Sequence, residues 1–395
     1  MLVVVHNNKS PYFEARLRAA ARRGRLYAVT LGDAETRDAG AAFGQTIVPV
    51  GDGSGMAAAG RIMRGVEQAL DALGPEVVAV HGWSRRCALS ALAWATRNSV
   101  PTVVLGDMEL PGRGHPAAIN LIKRRVFRQF GAFLMGGEKH AEYLAASGVA
   151  RDRILVGYDV VDNEHFRMGA EHARRDAVAQ RHRLGLPDRY FLSVCRFVEA
   201  KNLPFLFDAY AAYRDAFAGK DPWRLVVVGD GPLRPLLEHR RRELRLEQDI
   251  ILTGWKNYDE MPAYFGLAEA FVLASMREAW GLVVNEAMAA GLPVLVSRNA
   301  ASACDLVAEG RNGYTFNPRD VAALAALFGR LASDASDAPA MGRASADAIF
   351  PWSLETFADR LWSAAAIARR HGRPPVSASD GVLLRLLILR PGAPL

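Results

Sequence analysis

Residues 274–297 read Ala274-Ser-Met-Arg-Glu-Ala-Trp-Gly-Leu-Val-Val-Asn-Glu-Ala-Met-Ala-Ala-Gly-Leu-Pro-Val-Leu-Val-Ser297. This stretch predicts a loop that carries Glu278, a helix that begins near Gly281, a stop at Gly291-Leu-Pro293 and a short apolar strand. A loop, a helix and a strand that follow one another this closely are typical of an α/β domain with a parallel sheet.

Two carboxylates of this stretch flank the predicted start of the helix. Glu278 precedes it in the loop, and Glu286 lies four residues after Leu282, so Glu286 shares a face with the first helical turn. The free N–H groups at the start of a helix bind anions. Such amides beside two hydrogen-bond acceptors suit a phosphate that is joined to a sugar, and this is our working hypothesis.

The bulk composition is that of a globular protein with two domains. Half of the residues are apolar and 23% are charged. The length of 395 residues exceeds what one ordinary hydrophobic core holds. No apolar run reaches the roughly 18–20 residues that span a bilayer. The start, Met1-Leu-Val-Val-Val-His6, predicts a buried strand rather than a signal peptide, so we expect a cytoplasmic protein.

The net charge of +7 favours anionic partners such as nucleotides or phospholipid surfaces, although an Arg- and Ala-rich genome would produce the same bias. Nothing resembles a zinc finger or an RNA-binding strand, so nucleic acid is not expected as a partner. Cys87, Cys195 and Cys304 lie far apart and lack ligand spacing. This favours a reduced interior over disulfides or zinc, and we expect no bound metal.

Short apolar runs alternate with helical patterns along the chain, as at 2–6, 77–80 and 190–195. Such alternation predicts βαβ units, and we expect two Rossmann-like parallel-sheet domains. The predicted parts are an N-terminal domain over 1–165, a linker over 166–186, a C-terminal domain over 187–350, a helix over 351–371 that returns to the N-terminal domain, and a loosely docked tail of unknown role over 372–395.

Three polar side chains follow predicted strands of the N-terminal domain. They are Asn7, His81 and Asp107. Because ligands of parallel sheets bind beyond the carboxyl ends of the strands, each is a candidate for the acceptor site or the cleft. For each, the role of a turn or capping residue is about as well supported.

Residues 119–130, Ile-Asn-Leu-Ile-Lys-Arg-Arg-Val-Phe-Arg-Gln-Phe, combine apolar and basic side chains at helical spacing. A basic amphipathic helix can lie on an anionic membrane surface. The alternative is that its apolar face packs on the sheet and its basic face is solvated, which is the commoner arrangement. The sequence leaves both interpretations open.

Several common signatures are absent from the chain. There is no G-x-G-x-x-G dinucleotide motif, Walker loop, Gly-x-Ser-x-Gly elbow or His-Glu-x-x-His, so dehydrogenases and serine esterases are disfavoured. What remains is an anion site, because Arg196 and Lys201 come just after the strand at 190–195. Two cations beyond the carboxyl end of a strand are well placed to neutralise a diphosphate.

Three separated segments resemble the donor-binding domain of retaining GT-B glycosyltransferases, specifically glycosyltransferase family 4, the group 1 transferases. The segments, in their order in the chain, are Ser193-Val-Cys-Arg-Phe-Val-Glu-Ala-Lys-Asn-Leu203, Val228-Gly-Asp-Gly-Pro-Leu233 and Glu278-Ala-Trp-Gly-Leu-Val-Val-Asn-Glu-Ala-Met-Ala-Ala-Gly-Leu-Pro293. The resemblance covers roughly residues 186–320. It implies a GT-B architecture in which the two domains face a central cleft, with the acceptor on the N-terminal domain and the donor on the C-terminal one.

The resemblance also implies roles for individual residues. Glu286 would bind the ribose of the nucleotide, and Glu278 would face the hydroxyls of the donor sugar. Arg196 and Lys201 would bind the diphosphate. Further donor contacts would come from the backbone of Gly281, Leu282 and Gly229. The co-substrate would be a nucleoside-diphosphate sugar, and no cofactor is implied.

The N-terminal half departs from the family pattern. Many members carry Gly-Gly in the first loop, where this chain has Asn7-Asn-Lys-Ser-Pro11. Many also carry a histidine after the fourth or fifth strand, where Asp107 and Glu109 stand, while His81 is retained after the preceding strand. These differences concern the acceptor side of the implied site.

The resemblance implies a metal-independent hexosyl transfer that retains the anomeric configuration, through front-side attack and an oxocarbenium-like transition state. The acceptor would be a glycan of polysaccharide biosynthesis, a lipid-linked sugar or a small molecule, with the enzyme in the cytoplasm or on the inner face of the membrane through 119–130. The alternatives are a GT-B-fold sugar-nucleotide epimerase and a non-catalytic subunit that binds nucleotide sugars.

Overall fold

The computed structural model describes residues 1–8, 10–32, 43–49, 56–108, 117–217, 221–333, 337–372 and 377–390, with the side chains of 117, 118 and 378 excepted. The chain divides into two compact units, which are described separately. The first unit comprises Met1–Val160 and Leu354–Leu395, and the second comprises Val161–Ser353.

The described residues form strands and helices in regular alternation. The strands are β1 (Leu2–His6), β2 (Leu26–Leu31), β3 (Gly44–Val48), β4 (Val77–His81), β5 (Thr102–Gly106), β6 (Ala132–Met135), β7 (Ile154–Val156), β8 (Tyr190–Val194), β9 (Arg224–Val228), β10 (Ile250–Gly254), β11 (Ala270–Leu273), β12 (Val294–Ser297) and β13 (Gly313–Phe316). The helices are α1 (Pro11–Ala21), α2 (Met56–Leu73), α3 (Arg86–Asn98), α4 (Ala117–Phe127), α5 (Glu138–Ala146), α6 (Asn163–Arg175), α7 (Ala177–Leu184), α8 (Leu203–Ala216), α9 (Arg234–Glu243), α10 (Met261–Leu267), α11 (Leu282–Ala289), α12 (Ala303–Leu306), α13 (Val321–Ser333), α14 (Ala338–Ile349), α15 (Leu354–His371) and α16 (Ala378–Leu389).

Each unit is built on one parallel sheet. The strand order is β3-β2-β1-β4-β5-β6-β7 in the first unit and β10-β9-β8-β11-β12-β13 in the second. The chain reverses its direction of winding between β1 and β4, and again between β8 and β11. A reversal of this kind opens a crevice at the carboxyl ends of the two central strands, which is where ligands of such sheets bind. The predicted architecture of two Rossmann-like parallel sheets is confirmed.

The central strands are buried on both faces. Leu2 to Val5 of β1 and Val77 to Val80 of β4 are almost fully excluded from solvent. Helices cover both faces of a parallel sheet, so its strands appear in sequence as unbroken apolar runs. This is why β1, β4, β8 and β11 could be found from composition alone.

The segment predicted as a linker, 166–186, is instead part of the second unit. Its residues lie in α6 and α7, and α6 buries Phe166, Ala170 and Ala173. The backbone of Ala170 approaches Gly266 of α10 so closely that a Cβ there would lie 2.7 Å from it. The polar residues that suggested a linker form the solvated face of a helix whose other face is packed.

The C-terminal residues are also more ordered than predicted. Helix α15 packs on α1, and the Trp362 indole Nε1 donates a hydrogen bond of 2.9 Å to the Ala20 carbonyl. Residues predicted as a loose tail form α16, whose Leu384 and Ile388 are fully buried in the core of the first unit.

Of the two interpretations of the 119–130 segment, the structure agrees with the one in which its apolar face packs, at least over the second half of helix α4 and the residues that follow it. Val126, Phe127 and the following Phe130 are buried in the core of the first unit. Only Ile119 and Leu121, near the beginning of the helix, are exposed among its large apolar side chains with described positions.

Candidate functional site

The loops that follow β8 and β11 meet at the reversal point of the second sheet. The Met276 N–H donates a hydrogen bond of 2.8 Å to the Ala200 carbonyl. The Asn202 amide Nδ2 donates to the carbonyls of Ala274, at 3.3 Å, and Pro318, at 2.8 Å. The structure therefore brings the segment of Arg196 and Lys201 against the stretch 274–297, as adjacent βα loops of one half were expected to do.

Lys201 and Glu278 form an ion pair at this junction. The Lys201 Nζ donates to Glu278 Oε2, and the hydroxyl of buried Ser275 donates to the same oxygen at 2.9 Å. The two charged side chains are 19% and 13% exposed, so they remain within reach of a ligand. Among the described residues no side chain or amide donates to Glu278 Oε1, which leaves that oxygen for a hydroxyl group.

Gly281 lets the loop turn directly into α11. Its φ of +99° is in the left-handed region, and a Cβ there would lie 3.0 Å from the Leu273 side chain and 3.2 Å from Cγ of Glu278. Only glycine combines this φ with so close an approach at low cost. The N-terminal amides of α11 thus begin beside Glu278, where the sequence predicted anion binding by Gly281 and Leu282.

Glu286 lies one turn into α11 and is only 2% exposed. Burial, together with the negative charges of Asp162 and Glu286, raises the pKa of Tyr258. The Tyr258 ring stacks on His165 at 4.3 Å between centroids and 8° between planes. A flat aromatic surface thus lies in the electrostatic range of Glu286. It had no signal in the sequence, because the rings of His165 and Tyr258 are far apart in the chain. The ribose contact of Glu286 stays a prediction.

Arg196 is exposed and forms no ion pair within the described part of the chain. Its loop is fixed by the loop after β9, since the Phe197 N–H donates to the Asp230 carbonyl at 2.8 Å. A Cβ on Gly229 would lie 1.9 Å from the Cys195 carbonyl oxygen. The structure therefore gives Gly229 a packing role, in which it allows the two loops to touch, and its contact with a donor remains a prediction.

Sequence reasoning missed the buried supports of the 278–281 loop. The Trp280 indole donates to Asn285 Oδ1 at 2.9 Å, and the Ser302 hydroxyl donates to the Trp280 carbonyl at 2.7 Å. All three residues are almost fully buried. The one available signal was Asn285 itself, which with Glu286 interrupts an apolar stretch of helix, because buried amides are nearly always hydrogen-bonded.

The first sheet places Asn7, His81 and Asp107 at or just beyond the carboxyl ends of β1, β4 and β5. His81 lies 5.2 Å from the Phe13 ring and 6.0 Å from the Tyr158 ring. Burial, and then the positive charge of Arg85, lowers the pKa of His81 to about 3, so its imidazole is neutral near pH 7. Its Nδ1 is buried and neither donates a hydrogen bond to, nor accepts one from, any of the described residues.

Arg16 and Asp159 lie close to this group and were not found from the sequence. Arg16 is 2% exposed, donates to the Val160 carbonyl through Nε and Nη2 at 3.0 and 2.7 Å, and approaches Asp159 Oδ1 at 3.6 Å. Burial raises the pKa of Asp159 well above its usual range, Asp107 raises it further, and Arg16 opposes both. In the sequence Arg16 is one of many arginines on a helix. Glu109 lies outside the described residues.

Within the part of the chain that the structure describes, no cluster of three or more His, Cys, Asp or Glu side chains is arranged as a metal site. The same ranges contain no helix with the length and apolar character needed to cross a bilayer.

Two family models match the chain, one over each unit. Residues 175–347 match the model of glycosyl transferases group 1, and residues 10–158 match that of the glycosyl transferase 4-like domain. The chain belongs to the group 1 glycosyltransferases. The family predicted from three motifs of the second half is thereby confirmed, and the second model extends the assignment to the first half, where the motifs were weaker.

Curated relatives and solved structures agree with this family. The glycogen synthase of Mycobacterium tuberculosis is 27% identical over 306 residues, which cover 76% of this glycosyltransferase and 71% of the relative. The GDP-mannose-dependent alpha-(1-6)-phosphatidylinositol monomannoside mannosyltransferase of the same species is 31% identical over 210 residues, 51% of this chain and 52% of the relative. Anabaena Alr3699/HepE, in complex with UDP and glucose, superposes with a TM-score of 0.72 at 17% identity over 92% of this chain and 98% of its own, which shows a shared fold.

Proposed function

We propose that this glycosyltransferase moves a hexosyl unit, with retention, from a nucleoside-diphosphate sugar to a hydroxyl group of a glycan, a lipid-linked sugar or a small molecule. The observation that carries the proposal is the convergence of Arg196, Lys201, Glu278 and the start of α11 at one reversal point. Cations, free amides and carboxylates in one crevice match a ligand with both a diphosphate and sugar hydroxyls. The UDP-bound Anabaena structure and the GDP-mannose-dependent relative support the same ligand class.

In this proposal the cations act on the leaving group. Negative charge develops on the nucleoside diphosphate as the bond to the anomeric carbon breaks. Arg196, Lys201 and the first amides of α11 would stabilise that charge, and they need little rearrangement because loop contacts already fix them. The phosphate oxygens would then share Lys201 with Glu278.

Glu278 would bind the donor sugar and Glu286 the ribose. Glu278 Oε2 is held by Lys201 and Ser275, so Oε1 can accept from a hydroxyl in one defined direction. Glu286 is buried, and a buried carboxylate is stabilised when it accepts hydrogen bonds from a pair of vicinal hydroxyls. Removing either carboxylate should therefore affect donor recognition more than folding.

The reaction is proposed to need no metal, because the cations and amides of the chain supply the positive charge. The predicted cytoplasmic location belongs to this proposal as well, as does a contact of 119–130 with the membrane. Only the beginning of α4 exposes large apolar side chains among those described. The contact with the membrane would therefore need a second element of the chain.

A donor panel tests the proposal. UDP, GDP, ADP and TDP are each added to the protein, followed by their sugars, and thermal unfolding is recorded, since a ligand that binds only the folded state raises the apparent stability. We expect one nucleotide to raise the unfolding midpoint, and its sugar to raise it further. If none does, the donor site is wrong.

With the donor identified, acceptor libraries and NMR of the product decide the reaction. We expect nucleotide release to depend on an acceptor and the new linkage to keep the donor's anomeric configuration, with unchanged rates in the presence of chelator. Inversion would refute retention, and loss of activity with chelator that returns on adding a divalent metal would refute the metal-free mechanism. Interconversion of sugar nucleotides without an acceptor would indicate an epimerase instead.

A further inference from the structure

Helix α16 exposes an apolar stripe on the side that faces away from its own core. Val382, Leu386 and Leu389 are 58%, 64% and 39% exposed. Their spacing of four and three residues places them on one face of the helix. Leu384 and Ile388, on the opposite face, are fully buried. A helix that is apolar all round normally has both faces covered.

The exposure does not come from a loose end, because contacts at both ends of α16 hold it. Near its start, Arg125 of α4 forms an ion pair of 2.6 Å with Asp380 and donates to Ser379. After its end, buried Arg86 donates to the Arg390 carbonyl at 3.3 Å, where a cation also complements the helix dipole. The stripe is thus presented by a fixed helix.

Basic side chains flank the stripe. Helical geometry places Arg385 on one side of it and Arg390 on the other, and both are exposed. Segments 117–130 and 377–390 together contain six Lys and Arg residues and one acidic residue, Asp380, which is paired with Arg125. On α4, Leu121 is 62% exposed and lies one turn before Arg125 on the same face.

We propose that the outward face of α16, with the beginning of α4, docks on an anionic lipid surface. Val382, Leu386 and Leu389 would enter the boundary between head groups and acyl chains, while Arg385 and Arg390 bind lipid phosphates. A second copy of the chain fits this face less well, since a twofold interface would bring the same arginines together. The inference rests on the membrane contact of the proposed function, for which it names the surface, and it depends on none of the donor-site assignments.

Flotation with vesicles of phosphatidylcholine, with and without phosphatidylglycerol, tests the inference on the full chain. The variants are Val382→Gln/Leu386→Gln/Leu389→Gln and Arg385→Gln/Arg390→Gln. The control is Val178→Gln/Leu236→Gln, which removes two exposed apolar side chains from helices of the second unit.

We expect the wild type and the control to float with the anionic vesicles. The apolar triple variant should partition about tenfold more weakly or worse, because its face can no longer insert. The arginine variant should lose roughly 25-fold on anionic vesicles and nothing on neutral ones, since each of the two basic residues contributes about fivefold near such a surface. Unchanged unfolding temperatures show that the variants are folded.

Three results would overturn the inference. They are equal flotation of the wild type with both vesicle types, flotation of the triple variant like that of the wild type, and no binding of the wild type to any vesicle. Sedimentation equilibrium tests the alternative occupant, a second copy of the chain. If the wild type forms a dimer and binds no vesicles, and the triple variant is a monomer, the face is a self-association surface. Nucleotide binding is measured in parallel, so a failure of the donor site appears separately from a failure of membrane docking.

Discussion

The two sheets share one pattern of winding, but their reversal points carry different side chains. In the second unit Lys201 pairs with Glu278 while Arg196 is exposed beside them. In the first unit the corresponding point holds the imidazoles of His6 and His81, whose pKa values burial lowers to about 4 and about 3. The same topology therefore offers charge in one unit and neutral rings in the other, and it is the residues, not the fold, that separate the two chemistries.

This difference bears on which substrate each unit suits. An ion pair that is partly exposed, as Lys201 and Glu278 are, exchanges partners readily with a charged ligand, whereas deeply buried groups lose their charge instead. Burial also raises the pKa of Asp159 in the first unit. We expect the second unit to bind the anionic donor and the first to accept a neutral group that bears hydroxyls.

The largest effect should follow from removing a cation of the second unit. Lys201→Met keeps the aliphatic stem but removes the charge next to Glu278, so kcat/KM should fall by a factor of about 100 to 1,000, as for the loss of one preorganised group that stabilises a leaving group. Steady-state kinetics measure this, with Arg242→Met on the exposed side of α9 as the control. A fall of less than about fivefold would remove Lys201 from the mechanism.

The first unit should respond to acid instead. The Nδ1 of His6 lies 2.9 Å from the Asn8 carbonyl and its Nε2 lies 3.0 Å from the Thr30 hydroxyl, in a site that keeps the ring neutral. Because burial lowers the folded-state pKa from 6.5 to about 4, the unfolded chain binds the proton first as the pH falls. The stability of the folded state is therefore fully present above pH 6.5 and decreases towards pH 4.

The loss attributable to His6 is on the order of 3 kcal/mol across that interval. Urea unfolding of the wild type and His6→Gln at several pH values measures it as a difference between the two curves. His239→Gln, which replaces a histidine with a side chain 66% exposed, is the control. Parallel curves for wild type and His6→Gln would show that His6 does not make the first unit acid-sensitive.

A smaller effect distinguishes packing from ligand contact at Gly229. Gly229→Ala places a Cβ against the Cys195 carbonyl at a φ of +136°, so we expect a loss of about 2 kcal/mol in unfolding free energy and weaker nucleotide binding through the displaced Arg196 loop. Gly329→Ala, in the middle of α13 where nothing lies within 4 Å of the new Cβ, should stabilise by about 0.5 kcal/mol. Equal stability for the two variants would contradict the close approach.

The elements that the sequence predicted well were those with long apolar runs or strong local signals. β1, β4 and β8 are of this kind, and Gly281 marked the start of α11. Strands β6, β7 and β13 have only three or four residues each and gave no periodic signal that distinguishes a strand from a helix. Packing between distant segments, not local propensity, makes them strands.

The meeting of the loops that carry Lys201 and Glu278 could be predicted because their residues are clustered in a few short segments of the chain. Lys201 and Glu278 belong to loops that follow neighbouring strands, so parallel topology alone brings them together. Arg16 and Asp159 meet only through tertiary packing across most of the first unit, and the stacking of His165 on Tyr258 likewise joins distant segments. Neither pair has a spacing that a single sequence could reveal.

Calorimetric titration of the nucleoside diphosphate selected by the donor panel tests the central claim, that the second reversal point binds the nucleotide. Titrations compare the wild type with Glu286→Gln, which nearly preserves side-chain volume, with exposed Glu247→Gln as a control in the same unit, and with His81→Gln in the first unit. We predict that Glu286→Gln weakens binding by about 10- to 100-fold, as for the loss of a charged hydrogen-bond acceptor, while the other two variants bind like the wild type. Wild-type affinity in Glu286→Gln, or a comparable loss in His81→Gln, would contradict the assignment of the nucleotide to the second unit.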